Sequence, residues 1–477
     1  MSFFSNFFIS SYIIFFPFLF STLNSKIEFQ ISFGIFSYWF INILIAFYTE
    51  LFFPTFNLNY LIIAFNLVLL IFIVSNVKKN FQFFTLENIY KFLFLILIFL
   101  LIIFFLDDYT IYAWDEFAKI LFWSKSIFVS KNIYNELLSS YISGDNPGLP
   151  ILFSLPSLIF NQFSEKNLVL VYFSMHFALI CFLFESLNKI NKNVNLNILF
   201  ILVFLVLETS WKVIPENLLY ENIQIYLFSI IFIIAFLFHN KVVSKQSFFV
   251  YLLLLSLFAY FIKSSFITLL PIILIYMKIL KLSNKNIFIF LIFYFIVFFS
   301  ISTISSESRC QTNPLLNISF FEFDIFFNLG LKVLNKIFLW LVDWKQGFTF
   351  FLLIISIILS YKYSKVRILY FLFFLWFLIY LLAIILLMKQ CFTYYELENL
   401  FAVERYFIII FRSFHIITLF ILFYYLFNKF YLLNKFHYLF LNSILILILI
   451  FQVYASLNQI KERKNISIDY KTKLINF

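Results

Sequence analysis

The sequence predicts an all-α polytopic membrane protein with about 12–14 transmembrane helices, and three observations carry that prediction. Of 477 residues, 64% are apolar and only 12% charged, where soluble domains run near 45–50% and about 25%. The mean hydropathy is +1.01. Stretches such as 92–106, 286–300 and 366–388 hold almost nothing that water could solvate. Because roughly 20 residues cross a bilayer, the whole of 1–477 reads as one integral membrane domain. No room is left for an appended soluble domain of ordinary size.

Taken in order, the apolar runs predict spans near 3–22, 30–49, 57–76, 91–106, 167–187, 196–211, 222–239, 247–262, 265–280, 286–304, 337–360, 366–388, 405–427 and 437–456. The run that starts at Phe3 has no basic segment before it and no small-residue cleavage site, so it reads as a first span rather than a removed signal. Orientation follows from the short basic connections at Lys78/Lys79, Lys189/Lys192, Lys241/Lys245, Lys278/Lys281/Lys285, Lys362/Lys365/Arg367 and Lys429/Lys435, which the positive-inside rule makes cytoplasmic. With Lys26 and Lys91, that side holds 16 of 34 basic residues but only three of 23 acids: Glu28, Glu87 and Glu185. The other acids face outward, which a carboxylate-lined outer face explains. The basic tail at 457–477 falls outside under this count, against the rule, so a span near one end is miscounted.

The net charge of +11 is spread singly between apolar runs, which marks topology and not a nucleic-acid surface. Five glycines, Gly34, Gly144, Gly148, Gly330 and Gly347, cannot write a dinucleotide fingerprint or a P-loop. His176, His239, His415 and His437 never cluster with each other or with cysteines, so no resident metal or other cofactor is expected. Asp107 and Asp108 are the one pair that offers a divalent cation a place. Cys310 and Cys391 both fall in predicted outer loops, where a disulfide is permitted.

Two outer connections exceed a simple turn, 107–166 and 305–336. In the first, Asp107 and Asp108 follow a span and lead to Trp114-Asp115-Glu116-Phe117. Apolar residues then recur at three to four residue steps through Phe117, Ile120, Leu121, Ile127, Phe128, Tyr134 and Leu138, the pattern of an amphipathic helix. Its polar side carries Lys119, Lys125, Lys131 and Asn132, which suits a helix lying on the membrane surface. Pro147 and Pro150 break it, and 151–160 is apolar but too short to cross, as a half-inserted helix would be.

This order of elements resembles the GT-C superfamily of membrane glycosyltransferases, which includes protein mannosyltransferases and aminoarabinose transferases. Trp114-Asp115-Glu116-Phe117 is similar to the acidic motif of their first outer loop. Asn146-Pro147-Gly148-Leu149-Pro150-Ile151-Leu152 is similar to their Tyr-Pro-Pro-x-x-Pro-Leu-Leu stretch, with Gly148 where the family has a second proline. Shorter matches are Tyr260-Phe261-Ile262-Lys263 and Glu404-Arg405-Tyr406. The resemblance implies a polyprenyl-phosphate sugar donor, a lipid, glycan or protein acceptor, surrounding membrane lipids and no nucleotide sugar. It also implies a location in the cell's inner membrane with the site on the extracytoplasmic side.

The residue types support that chemistry separately. Transfer from a lipid phosphate needs a base beside the acceptor hydroxyl, and Asp115 is the candidate; Glu116 points about 100° away on a helix and takes a second role. The same acids also suit a solvated loop, with Asp107 or Asp108 as a helix cap. The leaving phosphate calls for fixed cations, for which Lys263, Arg405 and Arg412 are candidates, Arg412 being the hardest to place in a membrane. Snorkelling at a helix end is the plain alternative for Lys263 and Arg405. Asp107, Asp108, Glu216 and Glu221 are candidate acceptor or sugar contacts, although Trp211 and Tyr220 beside the last two also suit an interfacial aromatic belt. Two other functions remain open: a polysaccharide polymerase or ligase, and a lipid or sugar transporter.

Overall fold

The structure is a computed structural model and describes residues 2–21, 23, 27–54, 56–76, 121–133, 147–191, 197–198, 200–201, 220–302, 323–342, 347–391 and 403–427. All regular elements among the described residues are helical. Among the described residues eight helices are long and apolar enough to cross a membrane, consistent with an all-α polytopic membrane protein. The chain gathers into two compact units, the first built from helices within residues 1–219 and the second from those between Tyr220 and Tyr425.

The first unit contains α1 (Ser2–Ser21), α2 (Gln30–Phe52), α3 (Leu58–Ser75), α4 (Phe122–Ser130), α5 (Gly148–Phe160) and α6 (Glu165–Ile190). α6 is buried along its membrane span and forms the axis. α2 runs antiparallel to it, pinned where Glu185 accepts the backbone N–H groups of Ile31 (2.8 Å) and Ser32 (3.2 Å). A carboxylate there satisfies two of the four N–H groups a helix start leaves without partners and meets the positive end of the helix dipole. Glu28 pairs with Lys189 at 2.8 Å at the same end. Two of the three acids that the sequence puts on the basic side therefore have structural partners. Midway, Trp39 Nε1 donates to Ser174 Oγ at 2.8 Å.

α3 shows much of its apolar surface outward, with Val68 62% and Ile71 68% exposed, as a lipid-facing helix does. A polar knot holds its inner side. The hydroxyls of Tyr12 and Tyr38 lie 2.7 Å apart and each lies 2.8 Å from Asn66 Oδ1, while Asn66 Nδ2 donates to Asn42 Oδ1 at 2.9 Å. Among apolar side chains with no hydrophobic drive to sort helices, such bonds help fix which helix meets which.

Within the stretch expected to form a surface helix, Phe122–Ser130 is the described helical part, where Ile127 is fully buried and Val129 exposed. It packs on α5, the expected short helix, which is buried over most of its length and begins three residues before position 151.

The second unit contains α7 (Tyr220–His239), α8 (Lys245–Ile262), a 3-10 turn (Ser264–Leu269), α9 (Leu270–Ile279), α10 (Asn284–Ser302), α11 (Phe323–Val342), α12 (Gly347–Lys362), α13 (Ser364–Cys391) and α14 (Val403–Phe427). Trp376 of α13 is its fully buried centre, against Phe228, Phe232 and Tyr380, with its indole N–H donating to Thr268 Oγ1 at 3.2 Å. Of the span expected at 337–360, residues 343–346 lie outside the described residues, and the rest falls in α11, which ends at Val342, and α12, which starts at Gly347. Residues 323–336, expected within an outer loop, form most of α11. Apolar runs at 91–106 and 437–456, and most of 196–211, lie outside the described residues.

Candidate functional site

Lys263 ends α8. Its backbone is extended there (φ −157°, ψ 136°), so the chain leaves the helix and enters the 3-10 turn that leads into α9, with Pro271 in the first turn of that helix. The lysine head is not thereby put into water: the residue is only 6% exposed, and Nζ stands 5.1 Å above the Tyr406 ring of α14. A cation over an aromatic face is stabilised by the ring quadrupole, more so when desolvated.

One and a half turns further along α14, Arg412 Nη1 donates to Asn222 Oδ1 at 3.3 Å. Arg412 is nine residues inside the helix start, about 14 Å along the axis. Placing a guanidinium at that depth is expensive unless a partner or a ligand meets it. Beside Asn222 in the first turn of α7, Glu221 is 5% exposed and within electrostatic range of the Tyr380 hydroxyl, as is Tyr406. Gln224, one turn on, is fully buried and donates to Ser265 Oγ at 3.0 Å. His415 Nε2 and Thr349 Oγ1, 2.9 Å apart, close the deep side between α14 and α12.

Five elements therefore bring two cations, one carboxylate, two carboxamides and two tyrosines to one end of the unit. The lysines of the short connections stand at the other end. α7 and α8 join through Lys241, where Lys365 Nζ donates to Asn240 Oδ1 at 3.4 Å, and α9 and α10 join where Lys278 Nζ donates to Asn284 Oδ1 at 2.7 Å. Tyr363 stacks on Tyr425 there at 3.7 Å. The physical meaning is a separation of charge types along the helix axes. Surface-seeking lysines lie at one end, and the buried Lys263 and half-buried Arg412 with a carboxylate at the other.

Of the sequence-predicted residues, Lys263, Arg412 and Glu221 come together in this cluster. Arg405 lies in the first turn of α14. Asp107, Asp108, Asp115, Glu116 and Glu216 lie outside the described residues, as do Cys310 and the tail 457–477. Asn222, Gln224, Ser265, Tyr380 and His415 join the cluster without having been singled out as site residues. Asn222 has a local signal, since it follows two acids at the start of an apolar run. Tyr380 has none, because it sits inside an unbroken apolar run and is brought to the site only by packing. Among the described residues no group of three or more His, Cys, Asp or Glu side chains is placed to hold a metal ion.

No protein-family model matches the chain, and no curated protein or solved structure matches it.

Proposed function

We propose that the chain is an integral membrane glycosyltransferase that moves a sugar from a polyprenyl-phosphate donor to an acceptor on the extracytoplasmic side. The observation that carries this reading is the grouping of Lys263 and Arg412 at the end of the second unit away from the connections at Lys241, Lys278 and Lys365. Lys263 is buried and Arg412 half-buried, with Asn222, Glu221 and two tyrosines around them. Lysine and arginine side chains are the usual partners of a phosphate, and a polyprenyl phosphate is one that a membrane protein meets in its own bilayer.

In the proposed reaction the acceptor oxygen forms a bond to the sugar's anomeric carbon while the bond from that carbon to the phosphate oxygen breaks. The lipid phosphodiester leaves as a phosphomonoester and gains one negative charge. Lys263 and Arg412, with Arg405 as a third cation, meet that growing charge, the kind of stabilisation that strengthens in the transition state. The acceptor proton goes to a carboxylate, for which Asp115 is the candidate base, with Glu116 holding the acceptor or a basic partner. General base catalysis of this kind contributes on the order of 10²–10⁴-fold. Glu221 and Glu216 are the candidate sugar contacts.

The test is transfer in detergent from polyprenyl-phosphate sugars, comparing the natural chain with Lys263→Ala and Asp115→Asn. The reading expects transfer to fall at least a hundredfold in each. Undiminished transfer by Asp115→Asn removes the base assignment. No transfer from any lipid-linked donor, together with substrate flux into liposomes, replaces the enzyme with a transporter.

A further inference from the structure

The end of the second unit opposite Lys263 carries exposed cations on two connections that the fold brings side by side. Lys241 and Lys245 lie around the α7–α8 connection, Lys362 ends α12, and Arg367 lies in the first turn of α13; all four are exposed. The two connections meet where Lys365 Nζ donates to Asn240 Oδ1 at 3.4 Å, a bond across 125 positions of the chain. Lys362 Nζ stands 5.7 Å from the centroid of the Tyr363 ring, and that ring stacks on Tyr425 at 3.7 Å, so the α12–α13 turn is also held against α14. No Asp or Glu occurs in 239–249 or 358–370, so neither connection supplies a carboxylate to these five cations. Like charges repel one another, and anions placed among them offset that repulsion.

What lies below each cation decides which anion fits. From Arg367 the exposed residues of α13 continue at Phe371, Phe374 and Leu378, four, seven and eleven positions on, which is one face of a helix. Phe371 is 63% exposed. Back along α12 from Lys362 they are Ile358, Ile354 and Phe351, again on one face. α10 repeats the arrangement, with exposed Lys285 at its start followed by Phe288, Ile292, Phe295 and Phe299. Each stripe therefore begins at a cation and runs into the apolar length of its helix. Tyr361, 90% exposed beside Lys362, has the apolar body and polar tip that suit the boundary between headgroups and chains.

We infer that this end of the second unit binds an anionic phospholipid, its phosphate met by Lys241, Lys245, Lys362 and Arg367 and its acyl chains laid along the exposed stripes of α12 and α13. An amphiphile with a negative head and two hydrocarbon chains matches both halves of the surface at once. A soluble polyanion meets the cations and leaves the stripes unused, whereas a neutral lipid covers the stripes and leaves the cations unmatched. Arg367 offers phosphate a planar pair of N–H donors, and the lysines act as point charges around it. Basic clusters beside membrane spans attract anionic lipid in this way, each cation adding to the affinity. Lys365 is the tether that keeps the two connections together. The inference does not depend on the reading of Lys263 and Arg412, which stand at the other end of the unit.

The test is lipid binding to the full chain in a neutral detergent, read by native mass spectrometry. The probes are dioleoylphosphatidylglycerol, dioleoylphosphatidylcholine with the same chains, and glycerol 3-phosphate as the bare anion. We expect the phosphatidylglycerol to bind saturably, about tenfold or more tighter than the phosphatidylcholine, more weakly as salt rises, with glycerol 3-phosphate unable to displace it. Lys362→Gln together with Arg367→Gln should weaken the phosphatidylglycerol about tenfold or more and leave the phosphatidylcholine unchanged. Phe371→Ala with Phe374→Ala keeps every charge of the connections, and so their effect on insertion, and should weaken both lipids alike by about three- to tenfold. Lys332→Gln, an exposed lysine of α11 in neither connection, should change nothing. Equal affinity for the two phospholipids reduces the cations to markers of topology and overturns the inference. Displacement by glycerol 3-phosphate, a preference kept in the Lys362/Arg367 double variant, or a loss as large in Lys332→Gln overturns it as well.

Discussion

Arg412 of α14 donates to Asn222 of α7 across 3.3 Å, a bond between residues 190 positions apart in the chain. It aims a membrane-embedded guanidinium at the end of α7 where Glu221 also stands. Bonds to charged groups contribute about 1.5–3 kcal/mol when made in full. Asn222→Ala leaves Arg412 mobile but charged, so binding of polyprenyl phosphate should weaken roughly five- to tenfold. Arg412→Met should lose about a hundredfold. Equal affinities for the natural chain and Asn222→Ala would mean that the arginine needs no such tether.

Gly34 marks a close approach of α1 to α2. A Cβ at this position would collide with the backbone and side chain of Ser21, and backbone cannot yield as a flexible side chain does. Gly34→Ala should lower stability by about 1–3 kcal/mol. Thermal unfolding in detergent reads this as a clear drop in midpoint, whereas an unchanged midpoint would show that α1 gives way freely.

Glu185 and Glu28 are neighbouring acids with different expected weights. Glu185 accepts two backbone N–H groups at the start of α2, and Glu185→Ala should cost about 1–2 kcal/mol. Glu28 pairs with Lys189 with both side chains partly in solvent, so Glu28→Ala should change stability by less than about 1 kcal/mol. The same unfolding experiment ranks them, and a larger effect at Glu28 contradicts the capping account.

Asn66 is the hub of the knot that joins α3 to α1 and α2. Asn66→Leu removes one partner each from Tyr12, Tyr38 and Asn42 at once and should cost about 1–2 kcal/mol, more than Tyr12→Phe, which removes one hydroxyl, at about 0.5 kcal/mol. Midpoints in the reverse order would place the weight on the tyrosine pair instead.

Much of this architecture is legible in the sequence because lipid imposes a one-dimensional rule: a helix long and apolar enough to cross shows as a run. The runs at 30–49, 57–76, 167–187, 222–239, 247–262, 286–304, 366–388 and 405–427 all reappear as helices. The helix over 323–336 is missed because Asp324, Lys332 and Lys336 interrupt its apolar run. Lys263 is legible as a cation on the side where the positive-inside rule gives it no purpose. Its packing on Tyr406 is not, since that contact depends on how α8 and α14 lie against each other. Glu50 reads as an ordinary acid at a span end, and only the register of α2 on α6 turns it into a buried carboxylate.

The central claim is that the second unit holds a lipid phosphate between Lys263 and Arg412. The most direct measurement is the affinity of the purified chain for polyprenyl phosphate, set against polyprenol of the same length. The account predicts saturable binding of the phosphate form, at least tenfold preferred over the alcohol, and weakened at least tenfold by either Lys263→Met or Arg412→Met. Equal binding of phosphate and alcohol, or affinity indifferent to both substitutions, would contradict it.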